Sequence, residues 1–302
     1  MSELALGTWG LSGEPYGPMD EATAEGIVSR ALEMGFGLFE TADSYGAGKM
    51  EALLGRALEK RDDVTIVTKG GTDRTTEPAR KRFDATYLAA AVDRSRKRLR
   101  RDVIDVYLLH NPTMDALTVG EAVDGVKRLK DKGLIRHWGV SAGDSEVARA
   151  ALDRGAEVVS LAYNLLHAAD LHRVTGDVMV TGAGVLVHSV LGYGVLSGAW
   201  AKTRDFPPGD HRHDRWTQPE IAKRVEQVDG LRFLVQGDVP SLRGAAVRFA
   251  LSNHVVSSAL LGVTSAMQLE QLVRETGGGP VYLPDDAVAS LPRQLSKLGI
   301  SL

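Results

Sequence analysis

Short runs of apolar, often β-branched residues alternate along the chain with longer stretches in which apolar residues recur at helical spacing. This alternation continues over nearly the whole sequence, and no segment has the composition of a linker between domains. Strands that alternate with helices predict a parallel sheet. We predict eight strands, at residues 4–8, 38–41, 64–68, 103–109, 135–140, 158–161, 185–188 and 256–261.

The predicted helices begin and end at residues that suit helix termini. The helix at 21–34 follows Asp20, a residue type that caps helix N-termini, and precedes Gly35, which suits a C-terminal cap. The helices at 86–99 and 119–130 carry Arg and Lys near their C-termini, where positive charge interacts favourably with the helix dipole. These features support helices between the predicted strands.

Eight strand–helix units can form either a closed barrel or a long open sheet. No Gly-x-Gly-x-x-Gly motif opens a helix after a predicted strand, as a dinucleotide-binding open sheet would require. Polar residues follow strand ends over most of the chain, and only a barrel brings all these ends to one face. We therefore predict an α/β fold, a (β/α)8 TIM barrel that forms a single domain over residues 1–302, with extra helices.

A long polar segment at 202–219 follows the seventh predicted strand. Connections between a strand and the next helix usually have about 2–6 residues, so this segment is unusually long. We predict an elaborated loop near the functional face of the barrel. A surface excursion without a function is the alternative.

Composition narrows the possible partners and compartments. The chain contains no cysteine, which excludes disulfides, thiolate metal sites and a cysteine nucleophile. Its formal charge of -3 argues against a nucleic-acid or anionic membrane partner. No apolar run reaches the roughly 18–20 residues of a membrane helix, and the N-terminal residues do not resemble a signal peptide. We expect a cytoplasmic protein.

Three familiar motifs are excluded. Gly48 and Lys49 resemble the end of a phosphate-binding loop, but Asp43 occupies the position of its first glycine. His211 and His213 stand in a polar loop, where such a pair is more often solvated than metal-bound, and we expect no metal. No Gly-x-Ser-x-Gly sequence is present, so the chain lacks the nucleophile elbow of α/β-hydrolases.

Chemically useful side chains follow three successive predicted strands. Glu40 lies at the end of the second strand, Tyr45 follows that strand, Lys69 follows the third and His110 the fourth. In a barrel these strand ends are neighbours, and the set suits acid–base catalysis. A tyrosine is a poor acid–base group at pH 7 unless a cation stabilises its phenolate, and a lysine supplies that cation. Each residue alone also has an ordinary structural explanation, whereas their combination favours a catalytic site.

With these residues in place, the sequence resembles the aldo-keto reductases. The similarity covers nearly the whole chain, and no single motif decides it. The order and spacing of the motifs are specific to the family. The matching segments are LGTWG at 6–10, ETADSYG at 40–46, Lys69, DVYLLH at 105–110, GVS at 139–141, YNLL at 163–166 and GVLSG at 194–198.

The resemblance implies a (β/α)8 barrel that binds NADPH without a Rossmann fold and transfers hydride between the nicotinamide and a carbonyl carbon. It also implies a catalytic tetrad. In this chain Tyr45 would be the proton donor, Lys69 would lower its pKa, and His110 would orient the carbonyl. Glu40 stands where the family carries aspartate, and the extra methylene is expected to displace the lysine by about an ångström. Asp43 is the reserve partner for Lys69.

The family's cofactor-binding positions carry over with several replacements. Ala142 stands in place of an asparagine, Ser160 in place of a glutamine and His188 in place of a tyrosine that stacks on the nicotinamide. The resemblance implies NADPH, but no cation follows strand eight where the family binds the 2′-phosphate, so NADH stays an alternative. The expected cofactor-binding residues are Thr8, Trp9, Ser141, Ser160, His188, Ser189, Leu191, Gly262, Thr264, Ser265 and Gln268.

We predict reduction of an aldehyde or ketone to an alcohol. Trp9, Tyr16, Trp200 and Trp216 suggest an aromatic pocket wall, although packing within the core or the loop explains Trp200 and Trp216 equally well. Two alternatives stay open: a cofactor-binding regulatory protein with weak catalysis, as in potassium-channel β-subunits, and an NAD-dependent sugar or polyol dehydrogenase. The expected partner is a small-molecule carbonyl, and we expect a monomer.

Overall fold

The computed structural model describes residues 3–119, 121–277 and 281–300. Eight parallel strands form a closed barrel in which each strand pairs with its neighbours in the sequence and the first pairs with the last. The predicted barrel is therefore confirmed, and the strand limits differ from the predicted ones by at most two residues. The strands are β1 (Leu4–Gly7), β2 (Leu38–Glu40), β3 (Thr65–Gly70), β4 (Ile104–His110), β5 (Ile135–Ser141), β6 (Val158–Ala162), β7 (Gly184–His188) and β8 (Ser258–Gly262).

Helices surround the barrel and connect the strands. The Asp20 side chain caps the first helix by accepting a hydrogen bond from the backbone N–H of Thr23, as its position predicts. The helices are α1 (Glu21–Glu33), α2 (Lys49–Ala57), α3 (Ala85–Leu99), α4 (Met114–Thr118), α5 (Glu121–Asp131), α6 (Ser145–Asp153), α7 (Ala169–Thr181), α8 (Gln218–Asp229), α9 (Leu242–Leu251), α10 (Ala266–Thr276) and α11 (Asp285–Lys297). No helix among the described residues is long and apolar enough to cross a membrane.

The helix predicted at 119–130 is α5, Glu121–Asp131, and a separate short helix, α4, precedes it and was not predicted. Thr113 caps α4 by accepting a hydrogen bond from the backbone N–H of Ala116. Residue 120, between the two helices, lies outside the described residues.

Alternating side chains along each strand form two apolar layers. One set points into the barrel, where Ala5, Leu38, Val67, Leu108 and Leu186 belong to one buried cluster. The alternate positions point outward and pack beneath the helices in the main core. The barrel is therefore filled with side chains, and a cavity can form only at its ends.

Two excursions rise from the carboxyl ends of the strands. A short antiparallel hairpin, Thr72–Asp73 paired with Arg80–Lys81, follows β3 and was not predicted. The long loop after β7 contains a 3-10 turn, Gly192–Ser197, and ends where α8 begins, so the last two residues of the predicted 202–219 segment are helical.

The loop after β7 has a small core of its own, in which Phe206 packs with Ile221 and Val225 of α8. The backbone N–H of His211 donates to the carbonyl of Pro15 at 2.8 Å, which attaches this loop to the loop after β1. The segment is therefore an ordered wall at the mouth of the barrel.

Candidate active site

The ends of β2, β3 and β4 bring three of the predicted catalytic residues together. In the barrel Glu40 pairs in register with Val67, and Lys69 pairs with Leu108, so the strand ends lie side by side. Glu40, Tyr45, Lys69 and His110 all line one cavity of about 900 Å³. This volume is at the upper end of the usual range for small-molecule and cofactor sites.

The carboxylate of Glu40 and the ammonium of Lys69 are in direct contact, and both side chains are buried. Burial lowers the pKa of Lys69 to about 7 because desolvation penalises its charged form. The contact with Glu40 acts in the opposite direction, since an adjacent carboxylate favours the ammonium. The expected partner of Lys69 is therefore in place despite its longer side chain.

Tyr45 lies above Lys69, whose Nζ is 4.8 Å from the centroid of the tyrosine ring. Tyr45 begins a short turn after β2 that ends at Gly48. Burial raises the pKa of Tyr45 above its ordinary value, because the phenolate would be poorly solvated. The hydroxyl therefore stays protonated at neutral pH, the state that a proton donor requires.

His110 presents its ring edge-on to Tyr45, with ring centroids 5.9 Å apart and planes at 84°. Burial lowers the pKa of His110 well below its ordinary value, and the charges of Lys69 and Lys81 add to this effect. The imidazole is therefore neutral at pH 7. Its Nδ1 lies 3.4 Å from the Ser44 hydroxyl, and Nζ of Lys81 donates to the His110 carbonyl at 2.7 Å.

The backbone N–H of Asp43, the reserve partner for Lys69, donates to the Lys69 carbonyl at 2.9 Å. Burial raises the pKa of the Asp43 carboxyl to about 7, with a further contribution from the nearby charge of Glu51. Oδ1 of Asp43 is buried without a hydrogen-bond partner. The ion pair with Lys69 belongs to Glu40.

From the tetrad the cavity extends past the ends of β5, β7 and β8. Most of the expected cofactor-binding residues line it: Trp9, Ser141, His188, Ser189, Leu191, Gly262, Thr264 and Gln268. Three do not. Thr8 and Ser160 are buried outside the lining, and Ser265 caps α10 by accepting from the Gln268 N–H.

The lining fits an extended dinucleotide. At Gly262 no atom lies within 4 Å of the position that a Cβ would occupy, so the cavity is open directly over its backbone. α10 begins at Ala266, two residues after the lining residue Thr264, and the N-terminus of a helix favours a phosphate. Burial lowers the pKa of His188 to about 4, so its neutral ring can stack on a nicotinamide.

Several lining residues were not predicted, among them Glu14, Arg74, Arg243 and Gln271. Arg243 stands in the first turn of α9, where a positive charge interacts unfavourably with the helix dipole. This unfavourable position is the signal in the sequence that could have indicated a function for Arg243. Its guanidinium is bound by Glu275 through two hydrogen bonds of 3.0 Å. Nothing in the spacing of Glu14 or Arg74 distinguishes them from ordinary loop residues.

Aromatic side chains form one side of the mouth. Trp9 and Trp200 line the cavity together with Tyr16 and Tyr193. Trp216 does not reach the lining and packs on Tyr193 and Trp200.

His211, expected to be solvated, instead packs among the rings of Trp9, Tyr16 and Tyr193, with centroids 4.9, 5.0 and 5.1 Å away. The backbone hydrogen bond from His211 to Pro15 explains this difference, because it holds the histidine next to the loop after β1.

Comparison with known proteins shows the family and the fold of the chain. The Aldo/keto reductase family model matches residues 3–276. Aldo-keto reductase YhdN of Bacillus subtilis is 31% identical, over 91% of this chain and 85% of that protein. The NADH-specific methylglyoxal reductase of Escherichia coli is 28% identical, over 98% of this chain and 95% of that protein. The solved structure of the glycerol dehydrogenase AKR11B4 from Gluconobacter oxydans superposes with a TM-score of 0.86 at 26% identity, over 98% of this chain and 92% of that protein. The chain belongs to the aldo-keto reductase family, whose enzymes reduce carbonyl groups with NAD(P)H.

Proposed function

We propose that this enzyme reduces an aldehyde or ketone to an alcohol, with Tyr45 as the proton donor. The observation that carries the proposal is the buried Glu40–Lys69 ion pair beneath the Tyr45 ring, with the neutral His110 ring on the same cavity wall. A buried lysine with a carboxylate partner next to a protonated tyrosine is an arrangement suited to general acid catalysis.

Ser141, His188, Thr264 and Gln268 are the residues that we propose to hold the cofactor, NADPH by preference with NADH as the alternative. When bound, the cofactor supplies a hydrogen with two electrons to the carbonyl carbon. The remaining requirement is a proton for the carbonyl oxygen, which the protein must deliver.

Tyr45 delivers that proton. Its O–H bond breaks as a new O–H bond forms on the substrate oxygen, and the tyrosine is left as a phenolate. The Lys69 ammonium stabilises the phenolate, and Glu40 keeps the lysine charged in its buried position. The neutral His110 ring can donate an N–H hydrogen bond that orients the carbonyl oxygen next to Tyr45.

The substrate proposal follows from the mouth of the cavity. Trp9, Trp200, Tyr16 and Tyr193 form an aromatic wall, which favours a substrate with an apolar or aromatic portion. A second candidate is oxidation of a polyol, favoured by the similarity to a glycerol dehydrogenase. The same groups would act in reverse, with the Tyr45 phenolate accepting the alcohol proton.

Steady-state kinetics of wild type and Tyr45→Phe test the proposal. NADPH and NADH are supplied with an activated aromatic aldehyde and with methylglyoxal, and NADP⁺ and NAD⁺ are supplied with glycerol. We expect turnover by wild type and a loss of about 10²- to 10⁴-fold in Tyr45→Phe, the usual contribution of a general acid. Binding of the dinucleotide, measured by protein fluorescence, should be nearly unchanged.

Tyr282→Phe is the matched control, because Tyr282 is an exposed tyrosine outside the cavity lining. Wild-type turnover in Tyr45→Phe would contradict the assigned role. Tight dinucleotide binding without turnover on any of these substrates would favour the regulatory alternative.

A further inference from the structure

The turn that carries Tyr45 has an unusual backbone. Gly46, Ala47 and Gly48 have φ values of 58°, 54° and 90°, all in the left-handed region. This region is unfavourable for a residue with a Cβ, and Ala47 adopts it outside a regular element. Gly46 and Gly48 suit this region, whereas Ala47 adopts it at a cost that contacts from other segments must offset.

Two side chains bind the backbone on either side of Tyr45. Nη1 of Arg74 donates to the carbonyl of Ser44 at 2.6 Å. The N–H of Gly46 donates to Oε2 of Glu14 at 3.2 Å. Arg74 and Glu14 are themselves joined, with Nη1 2.7 Å from Oε1. The pair thus forms a clamp on the peptide groups that flank the tyrosine.

The two halves of this clamp come from separate parts of the fold. Glu14 lies in the loop after β1, and Arg74 follows the first strand of the hairpin after β3. Their side chains are 40% and 38% exposed. Ion pairs with such exposure contribute little to global stability, so the main effect of the contacts is local order at the turn.

We propose that Glu14 and Arg74 are positioning residues that hold the Tyr45 turn in its catalytic conformation. This inference rests on the proposed function of Tyr45. A displacement of about 1 Å in a catalytic group can reduce the rate by about 100-fold. Loss of the clamp should therefore lower kcat by about 10- to 100-fold.

The central experiment compares wild type with Arg74→Met, Glu14→Ala and Glu14→Gln in the carbonyl reduction. Glu14→Gln keeps an acceptor for the Gly46 N–H and should retain more activity than Glu14→Ala. We expect the reduction in kcat without a matching change in KM for an uncharged aldehyde or in dinucleotide affinity. A rise in KM alone would instead show that the pair contacts the substrate, and it would overturn the positioning role.

A charge reversal separates positioning from simple charge pairing. Glu14→Arg with Arg74→Glu restores an ion pair, but residue 14 then cannot accept from the Gly46 N–H and residue 74 cannot donate to the Ser44 carbonyl. The doubly reversed variant should stay as slow as Arg74→Met. Recovery of wild-type kcat would overturn the proposal.

A combination with Tyr45→Phe provides a readout that a merely structural role would not move. If Arg74 acts through the tyrosine hydroxyl, adding Arg74→Met to Tyr45→Phe should produce no further loss of kcat. An additive loss would overturn the proposal. Wild-type activity in Tyr45→Phe would reject the proposed function, whereas an inactive Tyr45→Phe with fully active Arg74→Met and Glu14→Ala would reject the clamp alone.

The matched control is the pair Arg30–Glu270, which joins α1 to α10. Its side chains are 41% and 43% exposed, and neither residue lines the cavity. Arg30→Met and Glu270→Ala should leave kcat unchanged. Thermal unfolding of every variant is measured alongside, and a kcat loss that merely follows the loss of stability across both pairs would also overturn the proposal.

Discussion

Glu40 and Lys69 form an ion pair from which water is nearly excluded, with side chains 7% and 4% exposed. The pair joins the end of β2 to the end of β3 and lies beneath the ring of Tyr45. The longer side chain of glutamate, expected to disturb this contact, still brings its carboxylate to the ammonium. The pair therefore couples the stability of the barrel rim to the protonation state of Lys69.

Replacing Glu40 tests this coupling. Glu40→Gln leaves the ammonium buried without a counter-charge, which should cost about 3–5 kcal/mol of unfolding free energy or force Lys69 to lose its proton. Either result should lower kcat at pH 7 by about 100-fold, whereas Glu40→Asp should fall between this variant and wild type. Urea unfolding and pH-dependent kinetics provide the measurements. Wild-type stability and kcat in Glu40→Gln would show that Lys69 needs no partner.

Asp43 should affect stability with little effect on catalysis. Its pKa is raised from 3.8 to about 7, so the folded state holds a proton that the unfolded state releases between these values. Stability from this group is therefore lost as the pH rises from about 4 to 7. Asparagine does not titrate, so Asp43→Asn should lack this pH-dependent loss of unfolding free energy, which amounts to at most about 4 kcal/mol.

Urea unfolding of wild type and Asp43→Asn at pH 5 and pH 8 measures the part of this loss that falls between these pH values, about 3 kcal/mol. The variant should keep kcat near wild type, because Lys69 contacts Glu40 rather than Asp43. A kcat loss in Asp43→Asn as large as that in Glu40→Gln would instead assign Asp43 to the catalytic unit.

The barrel could be predicted from sequence because each strand is a short apolar run bounded by polar residues or glycine, and the eight runs alternate with helical periodicity. The hairpin after β3 could not be predicted from sequence. Its paired residues, Thr72–Asp73 and Arg80–Lys81, are all polar and show no alternation. Contacts from distant parts of the chain hold it, including the bond from Lys81 to the His110 carbonyl.

The candidate catalytic residues could be predicted because each lies at or just after the end of a strand, and closure of the barrel places strand ends together. Residues that reach the cavity from loops and helices, such as Glu14 and Arg243, were missed because their position depends on tertiary packing. Ser160 was expected at the cofactor on family similarity alone, and the structure places it outside the cavity lining.

His188 should make stability depend on pH in the opposite sense to Asp43. Burial lowers its pKa from 6.5 to about 4, so between these values the unfolded state binds a proton that the folded state does not. Stability is therefore lost as the pH falls from about 6.5 to 4, by about 3 kcal/mol for this group.

His188→Gln should reduce this acid sensitivity in urea unfolding at pH 7 and pH 4.5. Part of the acid sensitivity should persist, because the pKa of His110 is also lowered. His213→Gln, at an exposed histidine, is the control and should unfold like wild type at both pH values. The same acid sensitivity in His188→Gln as in wild type would contradict the buried, neutral state of this ring.

Cofactor preference should depend on the ion pair of Arg243 and Glu275. Arg243 lines the cavity as a cation that could bind the 2′-phosphate of NADPH, but Glu275 holds it through two hydrogen bonds. Glu275→Gln weakens this competition and should raise the ratio of kcat/KM for NADPH over NADH by about tenfold, because charge-assisted contacts to phosphate are strong.

Arg243→Met should lower the same ratio. Glu270→Gln, at a carboxylate on α10 outside the cavity lining, should leave it unchanged. An equal ratio in all four proteins would mean that Arg243 does not reach the phosphate and that the preference is set elsewhere in the cavity.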